Sequence, residues 1–396
     1  MSAETDGRGA TGQWTVIAQI AEMNVKMTFR KENSIGMDSY DLLQNRLQFA
    51  IHRNHLFKNP ELHYLFFELT DQCNLRCLHC GSSCNAQRSR FLETKKVIET
   101  ICETAGHEGR VHVVLTGGEP LLHPGFQEII EALHNSNLYW SVVTNAMLLT
   151  DKTAEQMKKN RIYSAAVSLD GNAEEHNYLR RNSHAFDHAV RGIRILKNHG
   201  IYVQVASVIT KRTLPRLEDL YIEVNDLHVD SWKVLNIEPI GEARKNSELL
   251  LDREELFRLF SFIQKKRSDF DQKPGQMEVT YGCSHFLPDA YEGKIRTTPF
   301  ICGAGIMIAS VQCNGDIAAC LDIERRNELV QGNIYQDSLW DVWQNRFQIF
   351  RRDRTTDSPQ CGDCRYALVC GGDSLHTWDF EHKNPNLCLF REKLNN

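Results

Sequence analysis

Hydrophobic and polar positions follow two alternating patterns along residues 64–270. Short and almost continuous apolar runs, rich in β-branched and aromatic residues, predict six strands. These runs are YLFFELT (64–70), VHVVLTG (111–117), YWSVVTN (139–145), YSAAVSLD (163–170), YVQVASVIT (202–210) and WKVLNIEP (232–239). Uninterrupted apolar runs of this kind are typical of parallel strands that are covered on both faces.

Amphipathic segments with helical periodicity separate these strands. LETKKVIETICETAG (92–106) and FDHAVRGIRILKNHG (186–200) are the clearest, and Gly200 ends the second as a helix stop. A last helix is predicted at about 252–268. Six β-α units in succession predict an α/β protein with a parallel sheet, either doubly wound or curved into an open barrel.

The pattern changes after about residue 275, where cysteines, glycines and turn signals such as CNGD (313–316) replace the β-α alternation. This change predicts a small second domain that metal holds together. We expect an N-terminal extension at 1–60, a sheet domain at 61–270 and a cysteine-rich domain at 271–396. The extension includes a segment that could form strands (13–29), and contact with a substrate or leader peptide is its candidate role.

Composition and charge exclude several classes of protein. The chain has 396 residues, of which 41% are hydrophobic and 24% charged, as is ordinary for a globular protein with a buried core. A net charge of −5 argues against nucleic acid and anionic membranes as partners. No apolar run has membrane-spanning length and no signal peptide is recognisable, so we expect a cytoplasmic protein.

Thirteen cysteines are unusual for such a protein, because a reducing compartment disfavours disulfides. Most of them fall into clusters, which favours metal ligation. The clusters are Cys73, Cys77, Cys80 and Cys84; Cys302, Cys313 and Cys320; and Cys361, Cys364 and Cys370, with Cys388 downstream. Cys283 stands apart, as does Cys102, which we interpret as a small buried residue on the apolar side of its helix.

The first group of cysteines lies in the loop LTDQCNLRCLHCGSSCN (69–85), directly after the first predicted strand. Parallel α/β proteins build their active sites at this edge of the sheet. Cys84 could complete a four-thiolate zinc site, whereas three thiolates alone can hold a four-iron cluster that keeps one iron open. The C-x3-C-x2-C spacing on this loop resembles the signature of the radical S-adenosylmethionine (radical SAM) superfamily.

Further motifs at the ends of predicted strands extend this resemblance. LTGGEPLLHP (115–124) is similar to the family's GGEP motif, and VVTNAMLL, VSLDG, HNYLRRNSHAFDHAV and EPIGEAR resemble its later elements. The resemblance implies these contacts with S-adenosylmethionine: Gly117, Gly118, Glu119 and Pro120 at the methionine amino group, Thr144 and Asn145 after strand three, Ser168 and Asp170 near the ribose, Arg180 near the methionine carboxylate, and His79 near adenine. A solvent-exposed loop histidine is the alternative interpretation of His79.

The C-terminal cysteines resemble the SPASM extension of this superfamily, which binds auxiliary iron–sulfur clusters. The resemblance implies one complete ligand set for an auxiliary [4Fe-4S] cluster, formed by Cys361, Cys364, Cys370 and Cys388. One or two structural zinc sites are the alternative, because C-x2-C spacing does not distinguish zinc from iron.

The ligand set of a second auxiliary cluster is incomplete. The pattern supplies Cys302 and Cys320, but its cysteine three residues beyond Cys370 is Ser374 in this chain. The candidates for the missing ligands are Cys283 first, then Cys313, which lies in a turn, and then Asp373. An incomplete cluster with an open iron, which could bind substrate directly, is the alternative, so one or two auxiliary clusters are expected.

The resemblance implies a partial (β/α)6 barrel followed by the SPASM-like domain. It also implies reductive cleavage of S-adenosylmethionine at a [4Fe-4S] cluster, fed by an external electron donor such as flavodoxin or ferredoxin. The resulting 5′-deoxyadenosyl radical would abstract hydrogen from a peptide or protein side chain. Maturation of a ribosomally made precursor peptide is favoured, by crosslinking, thioether formation, epimerisation or oxidation.

Two other interpretations of the function stay open. The substrate could be a small-molecule cofactor precursor, or the chain could be a metal-stapled binding protein without catalytic activity. No acid, base or hydrogen donor stands out in the sequence, and Cys84 is the candidate catalytic residue if it is not a structural thiol.

Overall fold

The structure is a computed structural model of the chain, and it describes residues 39–107, 111–272, 277–296 and 300–390. The described residues from Leu43 onward belong to one compact unit. The predicted strands at 13–29 lie outside the described residues, so the role expected for the N-terminal extension stays a prediction.

Strands and helices alternate through the first two thirds of the described chain. The strands are β1 Tyr64–Glu68, β2 His112–Thr116, β3 Tyr139–Thr144, β4 Ser164–Ser168, β5 Val203–Ile209, β6 Ser231–Asn236, β7 Glu278–Tyr281, β8 Ile308–Val311, β9 Asp316–Ala318, β10 Gly332–Asn333, β11 Trp378–Asp379 and β12 Asn384–Pro385. The helices are α1 Ser39–Lys58, α2 Thr94–His107, α3 Phe126–Asn135, α4 Asp151–Lys159, α5 Ala173–Arg180, α6 Ala185–Asn198, α7 Leu217–Asp226, α8 Glu242–Lys245, α9 Arg253–Gln272, α10 Leu339–Asn345 and α11 Ala367–Cys370.

The six predicted strands are confirmed as β1 to β6, and they pair in parallel in the order of the chain. A doubly wound sheet would reverse its strand order at a switch point, whereas a sequential order is that of a barrel. The α/β fold with a partial (β/α)6 barrel is therefore confirmed. The last residues of the predicted runs leave the sheet and form the loops at its C-terminal edge.

The cysteine-rich part of the chain continues the barrel sheet instead of forming a separate one. β8 pairs in parallel with β1, with Tyr64 opposite Ile308, and β9 and β10 follow as antiparallel strands. On the opposite edge, β7 pairs in parallel with β6. The sheet thus runs across the expected domain boundary at residue 271, and that boundary stays a prediction.

Side chains of the barrel strands divide between an outer face under the helices and an inner, concave face. Trp232 on β6 is fully buried on the outer face, where its ring lies 6.1 Å from Tyr221 of α7 and 6.1 Å from Phe262 of α9. Burying a side chain of this kind contributes about 1.5–3 kcal/mol. The next residue, Lys233, therefore points to the concave face and is only half-buried.

The long N-terminal helix α1 is fastened to the cysteine-rich part through two buried arginines. Arg46 donates to the carbonyl of Leu287 at 2.6 Å, and Arg53 donates to the carbonyl of Leu368 at 2.7 Å. Leu368 lies in α11, the short helix that ends at Cys370. Among the described residues, none of the helices combines the length and the apolar character needed to cross a membrane.

The expectation that Cys102 is buried is wrong, because its side chain is exposed on α2. The buried face of this helix includes Thr100 and Thr104. Their hydroxyls donate to the carbonyls of Lys96 at 2.9 Å and Thr100 at 2.8 Å, which satisfies them within the helix. Two threonines can therefore face the core, and Cys102 is turned to the surface.

Candidate functional site

The loop after β1 is held over the C-terminal ends of the barrel strands by backbone hydrogen bonds. The carbonyls of Thr70 and Gln72 accept from the N–H groups of Gly118 (2.7 Å) and Glu119 (2.9 Å), after β2. Further along, the Leu78 N–H donates to the carbonyl of Leu179 at 2.8 Å. The loop therefore has contacts with segments that follow several different strands.

This loop brings Cys73, Cys77 and Cys80 into one apolar pocket. Cys73 and Cys77 are buried, and burial raises the pKa of Cys73 to about 12 and that of Cys77 to about 11. The charges of neighbouring cysteines raise both pKa values further. A metal cluster would hold them ionised, and this set of three soft donors fits an iron–sulfur cluster.

Cys84 lies next to this pocket. Its thiol contacts the carbonyl of Ser82 at 3.7 Å, and a hydrogen bond with Cys80 raises the pKa of Cys84. It packs with Cys73 and Cys77 in a small buried group. The role of Cys84 as a hydrogen donor or thiol partner stays a prediction.

Two glycines, Gly118 and Gly241, allow neighbouring backbone to lie close to the cysteine loop. A Cβ on Gly118 would lie 2.1 Å from the carbonyl oxygen of Gln72 and 3.1 Å from the Cβ of Cys73. Gly241, with φ +58°, approaches the loop from the segment after β6, and a Cβ there would lie 2.4 Å from the carbonyl oxygen of Cys80. No side chain fits at either position, so both glycines bring backbone close to the three cysteines.

Glu119 ties the loop after β2 to the loop after β3. Its carboxylate is fully buried and accepts from the Leu121 N–H (3.1 Å), the Thr144 hydroxyl (2.8 Å) and the Asn145 N–H (2.9 Å). Burial raises its pKa to about 7, against the lowering effect of these hydrogen bonds. The Asn145 side chain in turn donates to Cys73 Sγ at 3.7 Å. Glu119 thus positions Asn145 beside a cluster ligand, and direct contact of Glu119 with a methionine amino group stays a prediction.

Asp170, after β4, is the centre of a buried charged group. Arg180 donates to it through Nε and Nη2, both at 2.7 Å, and through Nη1 to Cys77 Sγ at 3.7 Å. Burial disfavours the ionised carboxyl, but Arg180, His79 and His176 outweigh burial and lower the pKa of Asp170 to about 2. The arrangement places a fixed ion pair directly beside the cysteine pocket.

His79 is not the solvent-exposed loop histidine of the alternative interpretation. Its side chain is 5% exposed, and Nε2 lies 3.5 Å from Asp170 Oδ2. Burial lowers the pKa of His79 to about 4, so the imidazole is neutral near pH 7. Its Nδ1 is buried without a hydrogen-bond partner among the described residues. An unsatisfied nitrogen at this place fits a polar ligand such as a nucleoside.

Two charged residues that the sequence analysis missed join the barrel to the cysteine-rich part. Glu68, at the end of β1, is fully buried and accepts from both Nη atoms of Arg325, at 2.6 and 2.9 Å. Glu68 also accepts from the Cys313 N–H at 3.1 Å. Cys313 therefore lies at the mouth of the barrel beside Glu68. No sequence signal distinguished Glu68 from the other residues of its strand.

The structure brings together the four cysteines of the complete auxiliary set. Cys361, Cys364, Cys370 and Cys388 line one cavity in the cysteine-rich part, closed on its apolar sides by rings that include Phe286 and Phe390. Four thiols around one cavity fit a four-iron cluster in apolar surroundings.

The candidate cysteine ligands of the second auxiliary cluster lie near His376, a histidine that the sequence patterns did not single out. Cys283 Sγ and Cys320 Sγ lie 3.6 and 3.5 Å from the two ring nitrogens of His376, and Cys302 Sγ accepts from the neighbouring Leu375 N–H at 3.4 Å. In the sequence, His376 could have been found by its position, two residues after Ser374, the residue that replaces the expected cysteine.

Comparisons with known proteins agree with this architecture. Residues 67–221 match the model of the radical SAM superfamily, and residues 302–365 match that of the SPASM iron–sulfur cluster-binding domain. The AdoMet-dependent heme synthase of Oleidesulfovibrio alaskensis is 26% identical over 333 residues, which cover 79% of this chain and 83% of that protein. Mycofactocin maturase MftC of Mycobacterium tuberculosis is 26% identical over 317 residues, 78% of each chain.

Among solved structures, SuiB of Streptococcus suis bound to S-adenosylmethionine is similar with a TM-score of 0.65 and 18% identity, over 90% of this chain and 83% of that one. SuiB has also been solved with its precursor peptide SuiA, at a TM-score of 0.64. At this level of identity, the likeness shows a shared fold.

Proposed function

This chain belongs to the radical SAM superfamily and carries a SPASM domain, and on that basis we propose that it abstracts hydrogen from a peptide or protein side chain. The favoured substrate is a ribosomally made precursor peptide, and the outcome is a crosslink, a thioether, an epimer or an oxidised side chain. The observation that carries the proposal is the convergence of Cys73, Cys77, Cys80 and the unsatisfied His79 at the mouth of an open barrel.

Cys73, Cys77 and Cys80 would hold the [4Fe-4S] cluster, and auxiliary clusters would occupy the SPASM domain. When bound to these three cysteines, the [4Fe-4S] cluster supplies one electron for the reductive cleavage of S-adenosylmethionine. The side-chain N–H groups of Asn145 and Arg180 donate to Cys73 Sγ and Cys77 Sγ, at 3.7 Å each, and would neutralise part of the charge of these thiolates when the cluster is bound. His79 would accept or donate one hydrogen bond at the nucleoside, while Asp170 keeps its ring in place.

The concave face of the barrel offers a place for a substrate side chain. Ser168, Ala206, Lys233 and Thr280 are lateral neighbours on β4 to β7. The three small residues leave space above the sheet, and the half-buried Lys233 side chain forms no ion pair with a carboxylate and no hydrogen bond among the described residues, although its charge acts on Cys283. Neighbouring strands are about 4.8 Å apart, so Lys233 lies two strand spacings, about 10 Å, from Ser168.

An unpaired cation at this distance suits a carboxylate of the substrate, such as an acidic side chain or the C-terminus of a peptide. The solved complex of SuiB with its precursor peptide supports a peptide as the substrate class in this fold. We further propose that an external flavodoxin or ferredoxin reduces the first cluster, in the cytoplasm, and that the auxiliary clusters carry an electron away from the substrate.

A small-molecule cofactor precursor is the second candidate substrate. The relationship to AdoMet-dependent heme synthases favours it, since these relatives align over 79% of this chain. A heme precursor carries several carboxylates, and Lys233 would pair with one of them.

The experiment offers both substrate classes to the reconstituted protein with S-adenosylmethionine and dithionite. Synthetic peptides with acidic side chains and a free C-terminus are compared with a carboxylated porphyrin, and mass spectrometry follows each. A peptide mass change that is absent from the C73A/C77A/C80A variant supports peptide maturation. Conversion of the porphyrin, with every peptide unchanged, contradicts it and favours the second candidate.

A further inference from the structure

Ser374 leaves the second auxiliary cluster of the SPASM domain short of a ligand, and its own hydroxyl does not take that role. Ser374 is fully buried, and its Oγ lies 3.5 Å from the hydroxyl of Thr377. A neutral hydroxyl that is bonded inside the chain is a poor iron ligand compared with a thiolate or an imidazole.

Two of the other candidates for this ligand are committed elsewhere. The carboxylate of Asp373 accepts from the N–H groups of Phe286 (2.9 Å) and Ser374 (2.7 Å), which holds the backbone of this loop. Cys313 lies at the barrel mouth, where its N–H donates to Glu68. Neither side chain is among those that interact with Cys320, which are His376 and Asp322.

His376 has surroundings that differ from those of the other buried histidines. His123 bonds the carbonyl of Leu92 at 2.7 Å, His176 accepts from the Asp170 N–H at 3.0 Å, and His285 bonds a carboxylate oxygen of Asp373 at 3.3 Å. His376 is also buried, at 8% exposed, but both of its ring nitrogens face thiols. Thiols are weak hydrogen-bond partners, so this arrangement suits a buried imidazole badly as a hydrogen-bonding site.

The same arrangement suits a metal. Cys283, Cys302 and Cys320 come from three separate segments of the chain and converge on residues 375 and 376. A carboxylate oxygen of Asp322 also lies within 4.8 Å of the ligand atoms of Cys320 and His376. Imidazole is an established ligand of iron–sulfur clusters, in which it replaces cysteine.

We infer that His376 replaces the missing cysteine and, with Cys283, Cys302 and Cys320, binds the second auxiliary cluster. The cluster then carries one negative ligand fewer than a four-thiolate cluster, which raises its reduction potential. The inference does not depend on the identity of the substrate. A peptide assay can fail while the ligand assignment holds, and the reverse is equally observable.

The test is pulsed electron paramagnetic resonance on the full-length reconstituted protein. The sample is reduced with dithionite without S-adenosylmethionine, so that the nucleotide contributes no nitrogen. We expect a strong coupling to ¹⁴N that converts to a ¹⁵N pattern when histidine alone is labelled with ¹⁵N. A wild-type spectrum without this coupling overturns the assignment, whatever the variants do.

Two substitutions and one control separate ligation from a structural role. His376→Cys should keep the iron content and lose the nitrogen coupling, with a lower reduction potential. His376→Ala should lose about four irons per chain. His382→Ala, at an exposed histidine of the same domain, should change neither the iron content nor the coupling. A coupling that persists in His376→Cys with full iron content contradicts the inference, and the labelled wild-type spectrum decides if the variants do not fold.

Discussion

One carbon atom added at Gly118 would disturb the loop that carries Cys73, Cys77 and Cys80, the proposed ligands of the first [4Fe-4S] cluster. In Gly118→Ala, the new Cβ would overlap the Gln72 carbonyl, which lies 2.1 Å away, and press on Cys73. We expect the loop to shift and the reconstituted protein to lose about four irons per chain. Iron analysis after anaerobic reconstitution measures this loss.

Gly81→Ala is the matched control for this prediction. Gly81 lies in the same loop, next to Cys80, and an added Cβ would meet nothing within 4 Å in the part of the chain that the structure describes. It should therefore keep the wild-type iron content. Equal iron content in both variants would show that the close contact of Gly118 with Gln72 and Cys73 does not position the cysteines.

Lys233 allows a prediction about the substrate instead of the cofactor. Replacing it by methionine removes the unpaired cation from the concave face while keeping a similar length. A charge-assisted hydrogen bond contributes about 1.5–3 kcal/mol, so kcat/KM for a carboxylate-bearing substrate should fall about 10- to 100-fold. Cleavage of S-adenosylmethionine without substrate should not change, and Lys233→Arg should retain part of the activity. An unaltered kcat/KM in Lys233→Met would rule out this contact.

At the residue scale, sequence patterns located the cysteines and the motif residues but not all of their partners. The structure places Cys73, Cys77 and Cys80 together, with Arg180 and Asn145 against their sulfurs, where the resemblance implied a cofactor site. His376 was missed because the expected pattern is written in cysteines. The hydrogen-bond role of Glu119 could not be predicted either, since two of its three donors, Thr144 and Asn145, lie at the end of the next strand, 25 and 26 residues away.

At the scale of elements, the pair of Glu68 and Arg325 connects β1 to the segment after β9. Glu68 is buried at 1% side-chain exposure, whereas the Arg325 side chain is 32% exposed. Removing one partner of a buried ion pair costs about 3–5 kcal/mol, and the partial exposure of Arg325 favours the lower end of that range. We therefore expect Arg325→Met to lower the free energy of unfolding by about 3 kcal/mol, measured by chemical denaturation.

The double variant Glu68→Gln/Arg325→Met is the control, because it also removes the buried charge. It should recover most of the stability that the single variant loses, as expected when an uncompensated carboxylate causes the loss. A single variant as stable as the wild type would show that Glu68 is not ionised or not buried in solution.

The elements differ in how well the sequence predicts them. β1 to β6 were predictable, because each is a continuous apolar run between helical segments. The β-α units alone did not predict their sequential order, since such units also form doubly wound sheets, and the family resemblance implied the barrel. The pairing of β8 with β1 was not predictable, since the four residues Ile308–Val311 do not indicate a partner. Cys102 was assigned to the wrong face because Thr100 and Thr104 satisfy their hydroxyls within the helix.

At the scale of the whole molecule, one continuous sheet connects the first cysteine loop with the SPASM domain. β1 carries that loop at its end and pairs with β8, which leads into the turn that holds Cys313. Helix α1 adds a second connection through Arg53 to α11. The relative positions of the cysteine clusters are therefore set by the fold, which suits transfer of electrons between fixed sites.

The most direct test of the account measures 5′-deoxyadenosine after anaerobic reconstitution, with dithionite and S-adenosylmethionine added. We predict release by the wild type, with about eight to twelve irons per chain for two or three four-iron clusters, and no release by C73A/C77A/C80A. A colourless protein that binds zinc and leaves S-adenosylmethionine intact would contradict the assignment of the first cysteine loop as a radical initiator.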